Sequence, residues 1–190
     1  MSNRERATRI SKYLSLVLRH DPGAAGVTLD AEGWVDVEEL LAGAARHDFS
    51  FTRAELEEVV ETSDKQRFAL SADGKSIRAN QGHSVSVDLG LKAQTPPAVL
   101  YHGTVERFVS SIMRNGLEKR SRQHVHLSAD VATATRVGSR RGKPIVLQIA
   151  AAEMHAGGFQ FFLSANGVWL IDQVPAQYIS APSSSRSIAD

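Results

Sequence analysis

Residues 67–78 read Arg-Phe-Ala-Leu-Ser-Ala-Asp-Gly-Lys-Ser-Ile-Arg, and this stretch decides how the first half of the chain is organised. Asp73-Gly74 is a turn signal, because glycine takes positive φ at no steric cost. The flanking runs Arg67–Leu70 and Ser76–Arg78 then pair as a β-hairpin. Upstream, Thr52-Arg53-Ala54-Glu55 has the spacing of a capping box and opens a helix with Leu56, Val59 and Val60 inward. Asp36-Val37-Glu38-Glu39 opens another in the same way, with Leu40, Leu41 and Ala44 inward. Further back, Ile10, Leu14, Val17 and Leu18 form the buried stripe of a first helix, which Asp21-Pro22-Gly23 ends. Its other face carries Arg4, Arg6, Arg9 and Lys12. Three short helices followed by a hairpin is the winged-helix order. It is common in nucleic-acid binders and also occurs as a generic small domain.

The character of the chain changes at Lys92-Ala93-Gln94-Thr95-Pro96-Pro97, which reads as a linker. Strands dominate beyond it. Val99-Leu100-Tyr101 leads into His102-Gly103-Thr104, and Phe108, Ile112 and Met113 sit on a helix that stops at Asn115-Gly116. His124-Val125-His126-Leu127-Ser128 alternates, with His124, His126 and Ser128 on one face. Asp130 caps a helix carrying Val131, Ala134 and Val137, and Ile145–Ile149 is a buried strand. Phe159–Leu163 and Val168–Ile171 flank Ser164-Ala165-Asn166-Gly167, a second hairpin. The expectation is an α+β protein of two lobes, residues 1–92 and 98–182, with a disordered tail at 183–190.

Composition narrows the function. With 190 residues, 42% apolar and 23% charged, the chain has material for one large domain or two small ones, and extended disorder is excluded. The net charge of +1 leaves no global field for nucleic acid or membrane, so such a role must come from local clustering. No cysteine is present, which removes disulfides, thiolate metal sites and thiol nucleophiles together. The charged N-terminus lacks a signal-peptide core and no apolar run reaches membrane-spanning length. The default is therefore a soluble cytoplasmic protein without a membrane partner.

Charge does cluster locally. From Arg107 to Lys143, nine basic residues stand against Glu118 and Asp130, a local balance of +7. The first helix is similarly basic, and the stretch between Asp30 and Glu61 is acidic. Two basic segments suggest a positively charged groove between the lobes, against the alternative of solvated surface charge. Arg19-His20 ends the first helix, where simple capping by cations is the more economical reading. Lys65-Gln66-Arg67 is either a basic wing strand or an exposed turn. Gly103 lets a ligand approach the backbone between His102 and Thr104, which offer hydrogen-bonding side chains. His124 and His126 would need further ligands among His20, His47, His83, His102 and His155 to hold a metal, so no metal is expected. Gly138-Ser139-Arg140-Arg141-Gly142-Lys143 matches neither a Rossmann nor a P-loop fingerprint.

Seven segments, in order, carry a family resemblance: SKYLSLVLRHDP (11–22), LDAEGWVDVEELL (29–41), DKQRFALSADGKSIRANQGHSVSVDL (64–89), LYHGT (100–104), HVHLSAD (124–130), VGSRRGKPIVL (137–147) and FFLSANGVWL (161–170). Together the chain resembles the NAD-dependent RNA (tRNA) 2′-phosphotransferases. The resemblance implies an N-terminal winged-helix RNA-binding lobe and a C-terminal ADP-ribosyltransferase-like, split β-sheet lobe that binds NAD+ as co-substrate. It implies action in tRNA processing on RNA that bears an internal 2′-phosphate; a monomer is the expectation, with oligomeric state left open by the sequence. That phosphate attacks the nicotinamide ribose and expels nicotinamide, giving a 2′-phospho-ADP-ribosylated RNA. The neighbouring ribose hydroxyl then attacks phosphorus, releasing 2′-OH RNA and ADP-ribose 1″,2″-cyclic phosphate.

The family's basic tetrad falls on Arg19, His20, Arg67 and Arg140, which turns Arg19-His20 from a cap into catalytic residues. Arginine suits a near-dianionic phosphate because its fork is planar, permanently charged and bidentate. His20 is the tetrad member able to exchange a proton near neutral pH, and is assigned to protonate the departing RNA 2′-oxygen, the alternative being a residue that only binds phosphate. The NAD+ residues implied are His102, Gly103, Thr104, His126, Ser128 and Val168, with Gln81-Gly82-His83-Ser84 assigned to a ligand site between the lobes. Where protein-modifying relatives carry Glu, Val168 stands, which fits a substrate that brings its own anionic nucleophile. The competing readings are a transferase that caps terminal phosphates of RNA or DNA, and a non-catalytic RNA-binding module.

Overall fold

The computed structural model describes residues 2–63 and 65–181; Asp64 and the tail at 183–190 lie outside the described residues. The chain divides into two compact units, Met1–Leu91 with Ser121–Gln123, and Lys92–Arg120 with His124–Asp190. Both mix helices with small antiparallel sheets, so the class is α+β.

In the first unit, α1 (Asn3–Arg19) starts on a capping box between Ser2 and Glu5 and buries Ile10, Leu14, Val17 and Leu18, the expected stripe. Arg4, Arg9 and Lys12 are exposed, whereas Arg6 turns to Glu55 at 2.8 Å and ties α1 to the start of the helix that carries Glu55. A 3-10 turn (Pro22–Ala25) follows. After β1 (Val35–Asp36), α2 (Val37–Arg46) is capped by Asp36, whose carboxylate accepts from Glu39 N at 2.9 Å. Gly43 on α2 lets the helix meet the 3-10 turn, since an added Cβ would lie 2.1 Å from the Ala25 carbonyl oxygen. The expected Thr52–Glu55 capping box opens α3 (Arg53–Glu61). The hairpin forms from β2 (Phe68–Leu70) and β3 (Ser76–Ala79), with Gly74 at φ 70° in the turn. β1 adds to β3, giving the order β1-β3-β2. Arg53 binds Glu38 at 2.8 Å, Glu57 at 3.0 Å and the Gly74 carbonyl, so one guanidinium joins α2, α3 and the hairpin turn.

The second unit holds two three-stranded sheets. One has β4 (Leu100–Val105) and β11 (Ile179–Ser180) on either side of β7 (Pro144–Ile149). The other has β6 (Val125–Leu127) and β8 (Phe162–Leu163) flanking β9 (Trp169–Ile171). Tyr101 and Ser128 exchange backbone hydrogen bonds at 2.9 and 2.8 Å, which stitches β4 to the end of β6. A small pair, β5 (Leu117–Glu118) and β10 (Gln173–Val174), completes the strands. The helices are α4 (Glu106–Asn115), α5 (Val131–Gly138) and α6 (Ala151–Ala156). Gly116 at φ 82° ends α4, and Asp130 caps α5 by accepting from Thr133 N at 2.7 Å. On α5 only Ala134 and Gly138 are buried, while Val131 and Val137 face outward at 49% and 39% exposure. Among the described residues no helix is long and apolar enough to cross a membrane.

The reason α5 buries its smallest residues lies in β4. A Cβ at Gly103 would lie 1.8 Å from the Ala134 carbonyl oxygen, and one at Gly138 would lie 2.8 Å from the Thr104 carbonyl oxygen. Helix and strand approach backbone to backbone, and only glycine permits it. Gly103→Ala or Gly138→Ala should therefore destabilise the protein by about 2–3 kcal/mol or more. Gly158→Ala, at φ 92° with nothing within 4 Å, should cost only about 1 kcal/mol of backbone strain. Urea unfolding of the three variants checks this ranking.

Candidate active site

The end of α1 is where the first unit gathers its cations. The helix stops at Arg19, His20 is its C-cap, and Leu16 accepts from both His20 N and Asp21 N. A returning segment closes over this end, with Ser84 N and Val85 N donating to the Arg19 carbonyl at 2.8 and 3.3 Å. The Arg19 guanidinium points inward. Its Nη2 donates to the Arg67 carbonyl at 3.4 Å, its Cζ stands 5.7 Å from the Phe68 ring centroid, and its Nε is buried without a hydrogen-bond partner. Arg67 just precedes β2, behind Gln66 at φ 39°, and Asn80 N donates to its carbonyl at 2.9 Å.

Burial, with the neighbouring charges of Arg67 and Arg122, pushes Arg19 down to about 10. His20, an exposed residue, is lowered from its ordinary value by partial desolvation of its ring and by Arg19 and Arg122. A cluster of positive groups that depress one another stores unfavourable electrostatic energy, which an anion bound there would relieve. Arg122 had counted only toward local charge in the sequence. Its place follows from Gln123, whose backbone N–H donates to the His83 carbonyl at 3.1 Å and whose side-chain amide donates to the Val87 carbonyl at 3.0 Å. Such long-range bonds leave no periodic trace, so sequence spacing could not reveal them.

His83 lies in the same neighbourhood. It is 1% exposed, and neither ring nitrogen has a hydrogen-bond partner. An added Cβ at Gly33, in the turn before β1, would meet its Nε2 at 3.5 Å. Burial, with Arg19, His20 and Arg78, pushes His83 down to about 4. Arg78 itself lies over the Trp34 ring at 4.5 Å.

The second unit carries the other expected residues. His102, Gly103 and Thr104 lie on β4, with Thr104 buried. His102 Nδ1 is 3.3 Å from the His126 carbonyl oxygen, so Nδ1–H donates and Nε2 is left as an acceptor. Burial and Arg141 lower His102, and the bond to His126 opposes them. The stitch between Tyr101 and Ser128 thus brings His102, His126 and Ser128 together at one seam. Gly103 has a packing reason there, the approach of α5, in addition to the ligand approach expected from sequence. Val168 precedes β9 in the second hairpin, where Ser164 Oγ accepts from its N–H at 3.1 Å. His124 lies 5.9 Å from the Phe162 ring centroid and is lowered by burial and Lys119. Arg140 is exposed on the 3-10 turn Ser139–Arg141 that follows α5. Gly82 takes φ 89° in the Gln81–Ser84 segment, which belongs to the first unit. Among the described residues no group of three or more His, Asp or Glu could hold a metal ion.

A model of the RNA 2′-phosphotransferase, Tpt1 / KptA family matches residues 5–173. The chain is 56% identical over 174 residues to a probable RNA 2′-phosphotransferase of Nostoc punctiforme, covering 92% of this chain and 96% of that protein. It is 58% identical over 173 residues to one of Rhodopirellula baltica, covering 90% and 94%. It is 54% identical over 178 residues to one of Streptomyces coelicolor, covering 94% and 97%.

The burial of His83 predicts a pH dependence of stability. The unfolded chain binds a proton at this residue below about 6.5, whereas the folded chain binds it only near 4. Stability from this group is present above pH 6.5 and is lost as pH falls toward 4, on the order of 3 kcal/mol. In His83→Leu, urea unfolding between pH 7 and 4.5 should show a shallower acid loss than wild type, by up to one proton.

Proposed function

The chain belongs to the RNA 2′-phosphotransferase, Tpt1 / KptA family, and from that premise we propose that it removes an internal 2′-phosphate from RNA by transferring it to NAD+ in two steps. The observation that carries the reading is the gathering of Arg19, His20 and Arg67 at the end of α1, with Arg19 half-buried and depressed to about 10. The proposed catalytic set is these three with Arg140. Arg19, Arg67 and Arg140 bind the phosphate, and His20 handles the proton.

In the first step the RNA 2′-phosphate oxygen bonds to C1 of the nicotinamide ribose as the bond to nicotinamide breaks. The leaving group is a pyridinium, so positioning and charge suffice and no general acid is needed. In the second step the adjacent ribose hydroxyl attacks phosphorus, and the RNA 2′-oxygen departs with a proton from His20. Negative charge gathers on the phosphoryl oxygens, where fixed guanidinium groups stabilise it.

NAD+ is a substrate here, and the seam of the second unit suits it. His102 Nε2, an acceptor because Nδ1 is committed to His126, can take a hydrogen bond from a ribose hydroxyl. Thr104, His126 and Ser128 supply further polar groups around Gly103, and Val168 lines the site without a carboxylate. The winged-helix assignment of the first unit and the ADP-ribosyltransferase-like assignment of the second belong to this proposal, as do tRNA as substrate and the cytoplasm as compartment. The order of three helices, the hairpin and the two joined sheets supports the two fold assignments.

The test is a single-turnover reaction on a short RNA with one internal 2′-phosphate, with and without NAD+. NAD+-dependent loss of the phosphate through a transient ADP-ribosylated RNA is the expected result. Stable accumulation of the adduct would instead mean a transferase that stops after one step, and no reaction would leave an RNA-binding module. Arg67→Lys, which keeps charge and loses the fork, should lower the rate roughly 10- to 100-fold.

A further inference from the structure

One hydroxyl lies against the imidazole at the end of α1. Ser84 Oγ lies 2.9 Å from His20 Nδ1 and 3.4 Å from the Arg19 carbonyl oxygen. The backbone that carries it is held independently, by Ser84 N and Val85 N on Arg19 and by Gln123 on His83 and Val87. Ser84 and His20 are both exposed, so the hydroxyl adds little to the core. Its contacts are with the ring and with the Arg19 carbonyl.

A serine hydroxyl has one proton to donate and two lone pairs. The Arg19 carbonyl can only accept. When Oγ donates to that carbonyl, its contact with His20 is an acceptance, and Nδ1 must carry a hydrogen. The reverse arrangement, Oγ donating to a bare Nδ1, abandons the carbonyl. Only the first satisfies both contacts, and it leaves Nε2 as the atom of His20 available to a ligand.

We propose that Ser84 is a positioning residue: by accepting from Nδ1–H of His20 it fixes the ring's orientation and tautomer and reserves Nε2 for the scissile phosphoester. This inference rests on the assignment of His20 as the group that protonates the RNA 2′-oxygen. In that step a bond forms from the ribose hydroxyl oxygen to phosphorus, and that hydroxyl's proton passes to water. The bond from phosphorus to the RNA 2′-oxygen breaks, and the Nε2 proton of the imidazolium goes to that oxygen. The neutral ring that remains keeps its Nδ1–H on Ser84, so no reorientation is needed during transfer.

The test uses the full chain, uniformly labelled with nitrogen-15, as wild type, Ser84→Ala and Ser84→Thr. Two-bond proton–nitrogen spectra report the tautomer of each imidazole, and His20 is assigned by its loss in His20→Gln. The expected wild-type result at pH 8 is a protonated Nδ1 and a bare Nε2. Ser84→Ala should shift His20 toward a mixture, and Ser84→Thr should restore the wild-type pattern. A bare Nδ1 in wild type, or the same spectrum in Ser84→Ala, overturns the proposal. In single-turnover kinetics, Ser84→Ala should slow the second step on the order of tenfold at unchanged half-saturating RNA, with rescue by threonine. An unchanged rate overturns the catalytic consequence. If wild type itself fails to react, the proposed function falls, while the spectra still decide whether Ser84 sets the tautomer.

Discussion

A guanidinium drawn partly out of water, with no carboxylate bonded to it among the described residues, is the constraint around which the first unit is arranged. Arg19 is turned inward at the end of α1, its Nε buried and unpartnered, and its proton affinity reduced by burial and by Arg67 and Arg122. Desolvating a cation is costly unless something compensates. Here the compensation within the protein is partial: one carbonyl at 3.4 Å and the face of Phe68. The hydrophobic stripe of α1, buried against the first unit's core, holds the helix end in place despite that cost. A site prepared in this way gains more from a bound phosphate than a solvated arginine would, because the cost of assembling the cations is met on folding.

The surrounding elements follow from this arrangement. The segment from Asn80 to Val87 must return to the end of α1, and it does so through bonds to the Arg19 and Arg67 carbonyls. That return buries His83 neutral and brings Ser84 to His20. In the second unit a different constraint governs. The close approach of α5 to β4, permitted by Gly103 and Gly138, sets the strand that carries His102 and Thr104. The stitch from Tyr101 to Ser128 then joins the two sheets, so that a packing requirement and a polar seam share the same few residues.

Much of the secondary structure could be read directly from short-range chemistry. The α1 stripe, the Thr52–Glu55 capping box, the Asp130 cap, the turn at Gly74 and the end of α4 at Gly116 each depend on residues within a few positions of one another. The α5 face was less legible. Val131 and Val137 look like core residues by type, yet they face outward because the glycine contact with β4 dictates which side of the helix packs. Arg6 likewise looked like part of a solvated basic face and is instead committed to Glu55.

The candidate site divides in the same way. Arg19, His20, Arg67, Arg140 and the His102–Thr104 run could be named from the order of residues and its likeness to a family, because their identities are chemical and their motifs are contiguous. What only the tertiary structure decided is their condition: Arg19 half-buried and depressed, His20 bonded to Ser84, His83 neutral, Arg122 brought near, His102 holding a defined hydrogen on Nδ1. Burial and long-range hydrogen bonds are properties of the packed chain. The residue pairs that create them stand tens of positions apart, with no period to connect them.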